Sequence, residues 1–423
     1  MQINTGFLGC KIYLCIFALM KMTENLQQFI RDHAGDDTAK LLLSTSRYEG
    51  VDVNVAVVQI KARGRIKDKL PEWYGDGRLF FPSALAAEQC SSEVTALYKQ
   101  RFVRNDDCLC DLTGGLGVDT YFFSKKAGSV IYVEKDEDYC AAARYNMNIL
   151  GASNVRVVNG DAVELVVNDD SVMSSAGVFY VDPARRGAGN KRMFALSDCE
   201  PDMAKIWPLL LKKNCRVVVK LSPMLDITQV LTQLPGICEI HVVSVKNECK
   251  ELLAVAGSLP ADEASRSVDI VCANYTSGGN EQIFRFRLTD EHSREVFFAE
   301  SVGRYLYEPN SSILKAGAFK SAALRYEVKK LNVSSHLYTS DSYVSSFPGR
   351  IFEVTDVIPF SSRMCKGLSV EIPQANITVR NFPIPVDELR KRTRIADGGD
   401  IYLFATTLQD GKKVIIKCRK AAS

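Results

Sequence analysis

The 423-residue sequence contains only four histidines and two tryptophans, and none of its cysteines form a Cys-x2-Cys pair. Zinc sites are usually built from such pairs or from clusters of Cys and His. Cys108 and Cys110 have one residue between them, and the four histidines lie far apart along the chain. The sequence therefore predicts no metal site.

The chain also has little excess charge, because 53 Lys and Arg against 50 Asp and Glu leave a net charge of +3. A value this small gives no argument by itself for a nucleic-acid partner. The composition, 46% hydrophobic and 24% charged, is typical of folded soluble protein. The chain is longer than most domains with a single hydrophobic core, so we expect several domains.

Long apolar runs are missing as well. The run Ile12 to Met20 is too short to span a membrane, and no small-residue cleavage site follows it. We expect an initiation codon assigned too far upstream, with the protein beginning near Met22, and no membrane association. The thirteen cysteines are scattered without regular pairing, which favours reduced, mostly buried thiols and a cytoplasmic location.

The pattern from Thr23 to about Asn105 is helical, with apolar residues at steps of three and four, and predicts an N-terminal helical domain over 22–105. Its segment Lys61 to Lys69 is rich in Lys and Arg. Two interpretations stay open for this segment, a contact with phosphate groups and a solvated helix face.

Beyond Asp106, strand-length apolar runs alternate with helical stretches such as Asp138 to Leu150 and Asp226 to Leu234. Continuous apolar runs indicate strands buried on both faces, so we predict an α/β fold with a doubly wound parallel sheet over 106–259. Two α+β domains, 260–347 and 348–423, complete the prediction. The predicted strands are Leu109 to Leu112, Val130 to Val133, Val155 to Val158, Val178 to Val181, Val217 to Leu221, and a hairpin-like pair, His241 to Val245 and Leu252 to Ala256.

A glycine-rich turn follows the first predicted strand, from Asp111 through Thr113, Gly114, Gly115 and Gly117. Glycines let a backbone bend close to a ligand at the start of a helix. The spacing does not complete the dinucleotide fingerprint Gly-x-Gly-x-x-Gly, because its third position falls on Thr120. The acid before the glycines instead indicates S-adenosylmethionine as the cofactor.

Further acids follow the next two strands. Glu134 ends the second strand, where a carboxylate can accept from both ribose hydroxyls, and Asp161, with Ala162 beside it, follows the third. Ligands of open α/β sheets bind at the carboxyl ends of the strands. We therefore assign cofactor binding to Asp111, Thr113, Gly114, Gly115, Gly117, Glu134, Asp161 and Ala162.

The fourth strand ends in Asp182-Pro183-Ala184-Arg185-Arg186-Gly187, where a methyl acceptor would meet the donor. Methyl transfer is an in-line displacement, and a carboxylate can orient an acceptor N–H, so Asp182 is the catalytic candidate, with Pro183 and Arg185 beside it. Lys220 ends the fifth strand. It either faces this cleft or pairs with a strand-end carboxylate.

These residues resemble class I methyltransferases with a Rossmann-like sheet and a THUMP-like C-terminal domain. The resemblance covers nearly the whole chain from Met22 and implies a ferredoxin-like domain over 260–347. It is carried by Lys69-Leu70-Pro71-Glu72-Trp73, Ala87-Glu88-Gln89, Asp111 to Gly117, Asp182 to Arg185 and the basic C-terminal stretch with its final hairpin.

THUMP domains bring RNA to a catalytic domain, so the resemblance implies RNA, either rRNA or tRNA, as the partner. Ser345 to Ser423 carries 13 Lys and Arg against 8 Asp and Glu, or +5, which exceeds the +3 of the whole chain. Methylation of a protein or small molecule, and RNA binding without catalysis, remain the alternatives.

Two relatives differ in the atom they modify. The turn with Thr113 is similar to the loop of rRNA guanine-N2 methyltransferases, which favours an exocyclic amine, although Ala184 and Arg185 replace the Pro and aromatic residue usual in amine methylases. The stretch Asp182 to Gly187 is similar to that of 5-methyluridine enzymes. Those need a nucleophilic cysteine after the next strand, where this chain has Leu221.

Overall fold

The computed structural model describes residues 22–168, 171–185, 199–257 and 268–421. These residues form two compact units. The first unit takes in the described residues of 22–237 together with 253–257, and the second takes in 238–252 together with 268–421. The apolar run Ile12 to Met20 lies outside the described residues.

The first unit begins with short helices, as the apolar periodicity predicted. Most begin after a Ser, Thr or Asp whose side chain accepts a hydrogen bond from the first helical turn, which satisfies a backbone N–H without a helical partner. Those capping residues are Thr23, Asp37, Asp52, Ser83 and Ser92. The helices are α1 (Glu24–Asp32), α2 (Thr38–Leu43), α3 (Val53–Ile66), α4 (Pro71–Gly75), α5 (Ala84–Gln89) and α6 (Glu93–Lys99).

A parallel sheet follows in the same unit, with helices between its strands. Its strands lie in the order β3-β2-β1-β4-β7, and every pair is parallel. The doubly wound α/β fold is thereby confirmed. The elements are β1 (Cys108–Asp111), α7 (Val118–Ser124), β2 (Ser129–Glu134), α8 (Glu137–Ile149), β3 (Val155–Asn159), α9 (Ala162–Val167), β4 (Val178–Val181), a short antiparallel pair β5 (Ala184–Arg185) and β6 (Cys199–Glu200), α10 (Met203–Lys212), β7 (Arg216–Leu221) and α11 (Ile227–Gln233).

The N-terminal helices share a hydrophobic core with this sheet. Trp73 is fully buried and packs in one cluster with Leu116, Tyr121 and Phe122. The carboxylate of Glu72 also accepts a hydrogen bond of 2.5 Å from the Tyr121 hydroxyl. The Lys-Leu-Pro-Glu-Trp motif therefore attaches the helical segment to α7.

Two residues of the basic segment Lys61 to Lys69 have a structural role. Arg63 is buried, and its guanidinium donates to the carbonyls of Asp76, Gly77 and Leu79 at 2.8–3.2 Å. The Lys69 ammonium donates to the carbonyl of Glu88 at 2.7 Å. Two cations of this segment thus hold neighbouring backbone in place.

Residues 238–252 of the second unit contain most of β8 (Ile237–Val245) and the first part of β9 (Glu248–Ala256), two neighbouring strands joined by a two-residue turn. The last residues of β9, 253–256, belong to the first unit. Both turn residues, Lys246 and Asn247, have positive φ values, 52° and 62°, as tight hairpin turns require. Strand β10 (Asp269–Tyr275) pairs in parallel with β8 and antiparallel with β11 (Glu281–Arg287). Helix α12 (Leu288–Ser293) follows.

The rest of the second unit contains a sheet in the order β13-β14-β12-β15-β18-β17-β16. Alternate residues of β17 enter different cores, Phe404 on one face and Leu403 and Ala405 on the other. The elements are β12 (Tyr305–Pro309), α13 (Ser311–Ala316), α14 (Phe319–Arg325), β13 (Lys329–Lys330), β14 (Tyr338–Ser340), β15 (Gly349–Pro359), α15 (Ser362–Glu371), β16 (Asn376–Arg380), α16 (Val386–Thr393), β17 (Tyr402–Thr407) and β18 (Lys413–Lys420).

Among the helices the structure describes, none combines the length and the apolar character needed to cross a bilayer. The cysteines at described positions are free thiols, each buried or half-buried. Within the same residues, no group of three or more His, Cys, Asp or Glu is arranged to hold a metal ion.

A buried ion pair connects the helical segment to the sheet. The Lys99 ammonium on α6 is fully buried and lies 3.0 Å from Asp119 Oδ1 on α7. The hydroxyls of Ser91 and Tyr180 donate to Asp119 Oδ2 at 2.8 and 2.7 Å. Burial opposes ionisation of Asp119, but Lys99, Lys220 and these hydrogen bonds lower its pKa below the usual value.

Removing one partner of this pair leaves a buried charge without compensation. We expect Lys99→Met to lower the free energy of unfolding by about 3–5 kcal/mol, measured by urea denaturation. The matched control is Lys125→Met, since Lys125 and Glu72 form a pair whose side chains are 38% and 39% exposed, and it should cost less than about 1 kcal/mol. Equal losses in the two variants would show that the buried pair has no special weight.

Candidate active site

The glycine-rich turn between β1 and α7 has the backbone conformation that its sequence predicted. Gly115 and Gly117 have φ values of +50° and +83°, a region that residues with a Cβ rarely adopt. The amide of Gly114 donates to the carbonyl of Val133 at 2.9 Å. A Cβ on Gly114 would lie 2.2 Å from the ring of Tyr132, so the turn lies directly against β2.

Asp111 is buried at the end of β1 and organises the turn from inside. Its Oδ1 accepts from the Thr113 amide at 3.0 Å, and its Oδ2 accepts from the Thr120 hydroxyl at 2.6 Å. Burial raises the pKa of Asp111 to about 7, although both hydrogen bonds act in the opposite direction. This carboxyl group therefore changes charge near neutral pH.

Glu134, at the end of β2, is hydrogen-bonded to the turn. Its Oε2 accepts from the Gly115 amide and its Oε1 from the Asp136 amide, each at 3.0 Å. A carboxylate has about four acceptor positions. Two of them fix the side chain, and the others remain for donors of a ligand.

Asp161, after β3, caps helix α9. Its Oδ1 accepts from the amides of Val163 and Glu164 at 2.7 and 3.2 Å. Ala162 is the first residue of the helix and is buried. The sequence interpretation assigned Asp161 to a ligand and missed this capping role, although an Asp directly before a helical stretch is a usual signal for it.

A cavity of about 350 Å³ lies at the carboxyl ends of these strands. Its size falls within the range of small-molecule sites, roughly 300–1,000 Å³. Three of the carboxylates on its wall, those of Asp111, Glu134 and Asp161, lie at the ends of successive strands. They provide acceptors for hydroxyl, amino and ammonium groups, which fits a nucleoside carrying an amino acid. The structure brings together there all of the predicted cofactor residues, Asp111, Thr113, Gly114, Gly115, Gly117, Glu134, Asp161 and Ala162.

One wall of the cavity comes from the N-terminal helices, which the sequence interpretation did not include in the site. Leu85, Ala86 and Gln89 of α5 line it, followed by Cys90 and Ser91. Leu85 is 60% exposed, unusual for leucine. The available signal was the Ala87-Glu88-Gln89 motif within this helix.

Asp182 lines the same cavity after β4. Its amide donates to the Thr113 hydroxyl at 2.7 Å, so the glycine-rich turn positions the residue. The Lys220 ammonium, from the end of β7, lies 2.5 Å from Asp182 Oδ2. The pairing that sequence analysis considered for Lys220 therefore occurs, and its partner is the catalytic candidate.

The structure describes only some of the other candidate residues in the segment that follows Asp182. Pro183 follows Asp182, and the backbones of Ala184 and Arg185 in β5 pair with Glu200 and Cys199 in β6. Ala184 and Glu200 line the cavity, whereas Pro183 does not. The side chain of Arg185 lies outside the described part of the chain. Arg186 lies outside the described residues.

Cys90 places a thiol in the cavity wall, which bears on nucleophilic chemistry. Burial raises the pKa of Cys90, and nearby Lys69 offsets this only in part. Its Sγ donates to the carbonyl of Ala87 at 3.2 Å. The nucleophile is the thiolate, so this geometry does not favour covalent attack by Cys90.

Family models match two adjacent C-terminal segments. Residues 305–348 match a ferredoxin-like domain, and residues 349–420 match a THUMP domain-like model. The predicted THUMP-like domain is thereby confirmed. No curated protein matches the chain significantly.

Solved structures give a match over nearly the whole chain. The "putative methyltransferase from Porphyromonas gingivalis W83" is 37% identical, with a TM-score of 0.84 over 94% of this chain and 98% of that one. An rRNA methylase from Streptococcus thermophilus has a TM-score of 0.30 at 13% identity, covering 40% of this chain and 95% of its own. A Streptococcus mutans protein in complex with SAH has a TM-score of 0.29 at 13% identity, covering 38% and 94%.

Only the first of these three alignments is strong enough to assign a family, since the other two have TM-scores well below 0.5. It extends over both units, and it agrees with the parallel sheet and with the THUMP-like match at the C-terminus. The chain belongs to the family of the Porphyromonas gingivalis protein, the class I methyltransferases with a THUMP-like C-terminal domain.

Proposed function

We propose that this protein transfers a methyl group from S-adenosylmethionine to RNA, to a base of rRNA or tRNA, with an exocyclic amine as the favoured acceptor. The observation that carries the proposal is the cavity at the carboxyl ends of β1 to β4. Carboxylates at the strand ends line this cavity, and Asp182, whose amide donates to the Thr113 hydroxyl, lines it too. This arrangement supports a cofactor at the first strand ends and an acceptor beside Asp182. The proposal also includes a cytoplasmic location and domain boundaries after residues 105, 259 and 347.

The first three strand ends would hold the cofactor. Glu134 would accept from the ribose hydroxyls, Asp161 and Ala162 would bind the adenine, and the turn from Asp111 to Gly117 would bind the amino-acid part. S-adenosylmethionine, when bound, supplies a methyl group on a sulfonium that is open to in-line attack. The protein's part is alignment of the acceptor and exclusion of water.

Asp182 is the group we assign to the acceptor. Thr113 fixes its backbone, and Lys220 occupies Oδ2, so Oδ1 is the oxygen that accepts from an amine N–H and orients the nitrogen lone pair. The methylated nitrogen then loses a proton, which Asp182 or solvent takes. Lys220 is a positioning residue in this scheme.

RNA as the acceptor is supported by the THUMP-like match over 349–420 and by the positive charge of that part of the chain. THUMP domains proper bind RNA. Phosphate contacts by Lys and Arg supply much of the affinity of such modules. Methylation of a protein or small molecule, or RNA binding without turnover, are the outcomes that would replace the proposal.

The glycine-rich turn provides a test of cofactor binding. Gly114→Ala places a Cβ against the Tyr132 ring, so we expect at least a tenfold loss of affinity for S-adenosylhomocysteine in calorimetry. Gly177→Ala is the matched control, because a Cβ there meets nothing within 4 Å. If both variants bind as the wild type does, the turn does not hold the cofactor.

Asp111 predicts a pH dependence of that binding. Its pKa of about 7 means that the carboxyl is neutral near pH 6 and ionised near pH 8. Only the ionised form attracts the cationic groups of the cofactor, so affinity for S-adenosylmethionine should be about tenfold lower near pH 6. Asp111→Asn should bind weakly at both pH values, and a wild-type affinity that does not change with pH would contradict the assignment.

Transfer of labelled methyl groups tests the reaction. Total RNA from a deletion strain should accept label from the wild-type protein, RNA from the parent strain should accept little, and nucleoside mass spectrometry should identify the base. Asp182→Ala should lose at least about a hundredfold in rate while keeping its affinity for S-adenosylhomocysteine. Equal incorporation by variant and wild type would exclude Asp182 as the orienting group, and labelled protein instead of RNA would overturn the substrate.

A further inference from the structure

A second cavity, of about 470 Å³, lies within the second unit between β11, α12 and α14. Arginine dominates its wall, with two residues from the strand and one each after or within the two helices. Those four arginines are Arg285, Arg287, Arg294 and Arg325. It lies outside 349–420, the segment that matches the THUMP-like model.

Only part of this positive charge is neutralised within the wall. Asp269 lies 3.6 Å from the Arg287 guanidinium, and Asp290 lies 2.9 Å from that of Arg294. The lining therefore carries two more positive than negative groups. Within the described residues, no ion pair is formed by Arg285 or Arg325.

Arg325 is held by an aromatic ring. Its guanidinium lies over the ring of Phe284, 5.0 Å from the centroid, and Phe284 is 1% exposed. Stacking fixes the plane of a guanidinium and leaves its N–H edges available to donate. Arg325 is thereby prepared for an acceptor with two oxygens.

Ser321 adds a buried hydroxyl to the cavity. The residue is 3% exposed, it lines the cavity, and its Oγ makes no hydrogen bond to any described part of the chain. The amides of Lys320 and Ser321 at the start of α14 both donate to the Glu291 carboxylate at 2.7 Å. The backbone there is thus satisfied, and the Ser321 hydroxyl is a buried polar group that a ligand would pair.

We propose that this cavity binds phosphate groups of the RNA acceptor, as a backbone contact separate from the THUMP-like segment. The inference rests on the proposed RNA substrate. Phosphate oxygens match the bidentate donors of arginine and the Ser321 hydroxyl, and such contacts position RNA without reading its sequence. An acidic peptide is less favoured, because Phe284 and Phe286 are buried and offer no apolar anchor on the surface.

Anisotropy of a short fluorescein-labelled single-stranded RNA, titrated at several salt concentrations, tests this contact. The double variant Arg285→Ala with Arg325→Ala should bind about 25-fold more weakly near 0.1 M salt, and its salt slope should fall by about 1.4, or roughly 0.7 per phosphate. Replacing both arginines with Lys should keep the slope and still weaken binding, because the fork is lost.

The control changes two exposed arginines of the first unit, Arg47→Ala with Arg156→Ala, and should leave RNA affinity within about twofold of wild type. Unfolding by urea and affinity for S-adenosylhomocysteine should be unchanged in both double variants. If wild type and cavity variant bind RNA equally, the cavity is not a phosphate site, although the proposed function stands. Without RNA binding by the wild type, both proposals fail. If oligoglutamate displaces the RNA better than unlabelled RNA does, an acidic protein is the partner and the phosphate assignment is overturned.

Discussion

The buried charge of Asp119 is the constraint on which the site depends. Asp119 lies on the first turn of α7, directly after the glycine-rich turn. Lys99, Lys220 and two hydroxyls compensate its burial and lower its pKa below the usual value. Lys99 ends α6, and Ser91 lies between α5 and α6. The pair therefore fixes the helical wall of the cavity against the loop that carries the proposed cofactor residues, so the N-terminal helices contribute to the candidate site.

The buried carboxyl of Asp111 makes the glycine-rich loop less stable when it ionises. Its folded pKa of about 7 is above its ordinary value of 3.8, because the carboxyl is buried. Its contribution to stability is therefore fully present below about pH 4 and is lost as the pH rises to about 7. In the proposed function, the ionised form, which destabilises the fold, is also the form that would attract a cationic cofactor. Binding of that cofactor would offset the loss of stability.

The sequence predicted the features that depend on short stretches of chain. Continuous apolar runs located β1 to β4, and each acid was placed because it lies at or shortly after the end of such a run. Contacts between distant segments could not be identified in this way. For Lys220 the sequence left open a place facing the cleft or a pair with a strand-end carboxylate, and the structure identifies its partner as Asp182, 38 positions away. Arg63 is buried against the carbonyls of 76–79, to which it donates. A basic residue in a helix gives no local sign of such partners.

The position of a charged surface is equally difficult to predict from the sequence, as the arginine-lined cavity shows. From the sequence we compared the net charge of the whole chain, +3, with that of 345–423, +5, and therefore assigned RNA binding to the last part. The four arginines of the cavity are separated along the chain and come together only on folding; they are Arg285, Arg287, Arg294 and Arg325. Their effect depends on which carboxylates lie beside them. Asp269 and Asp290 neutralise two arginines and leave two, and it is this local excess, rather than the overall charge, that gives a surface its affinity for phosphate.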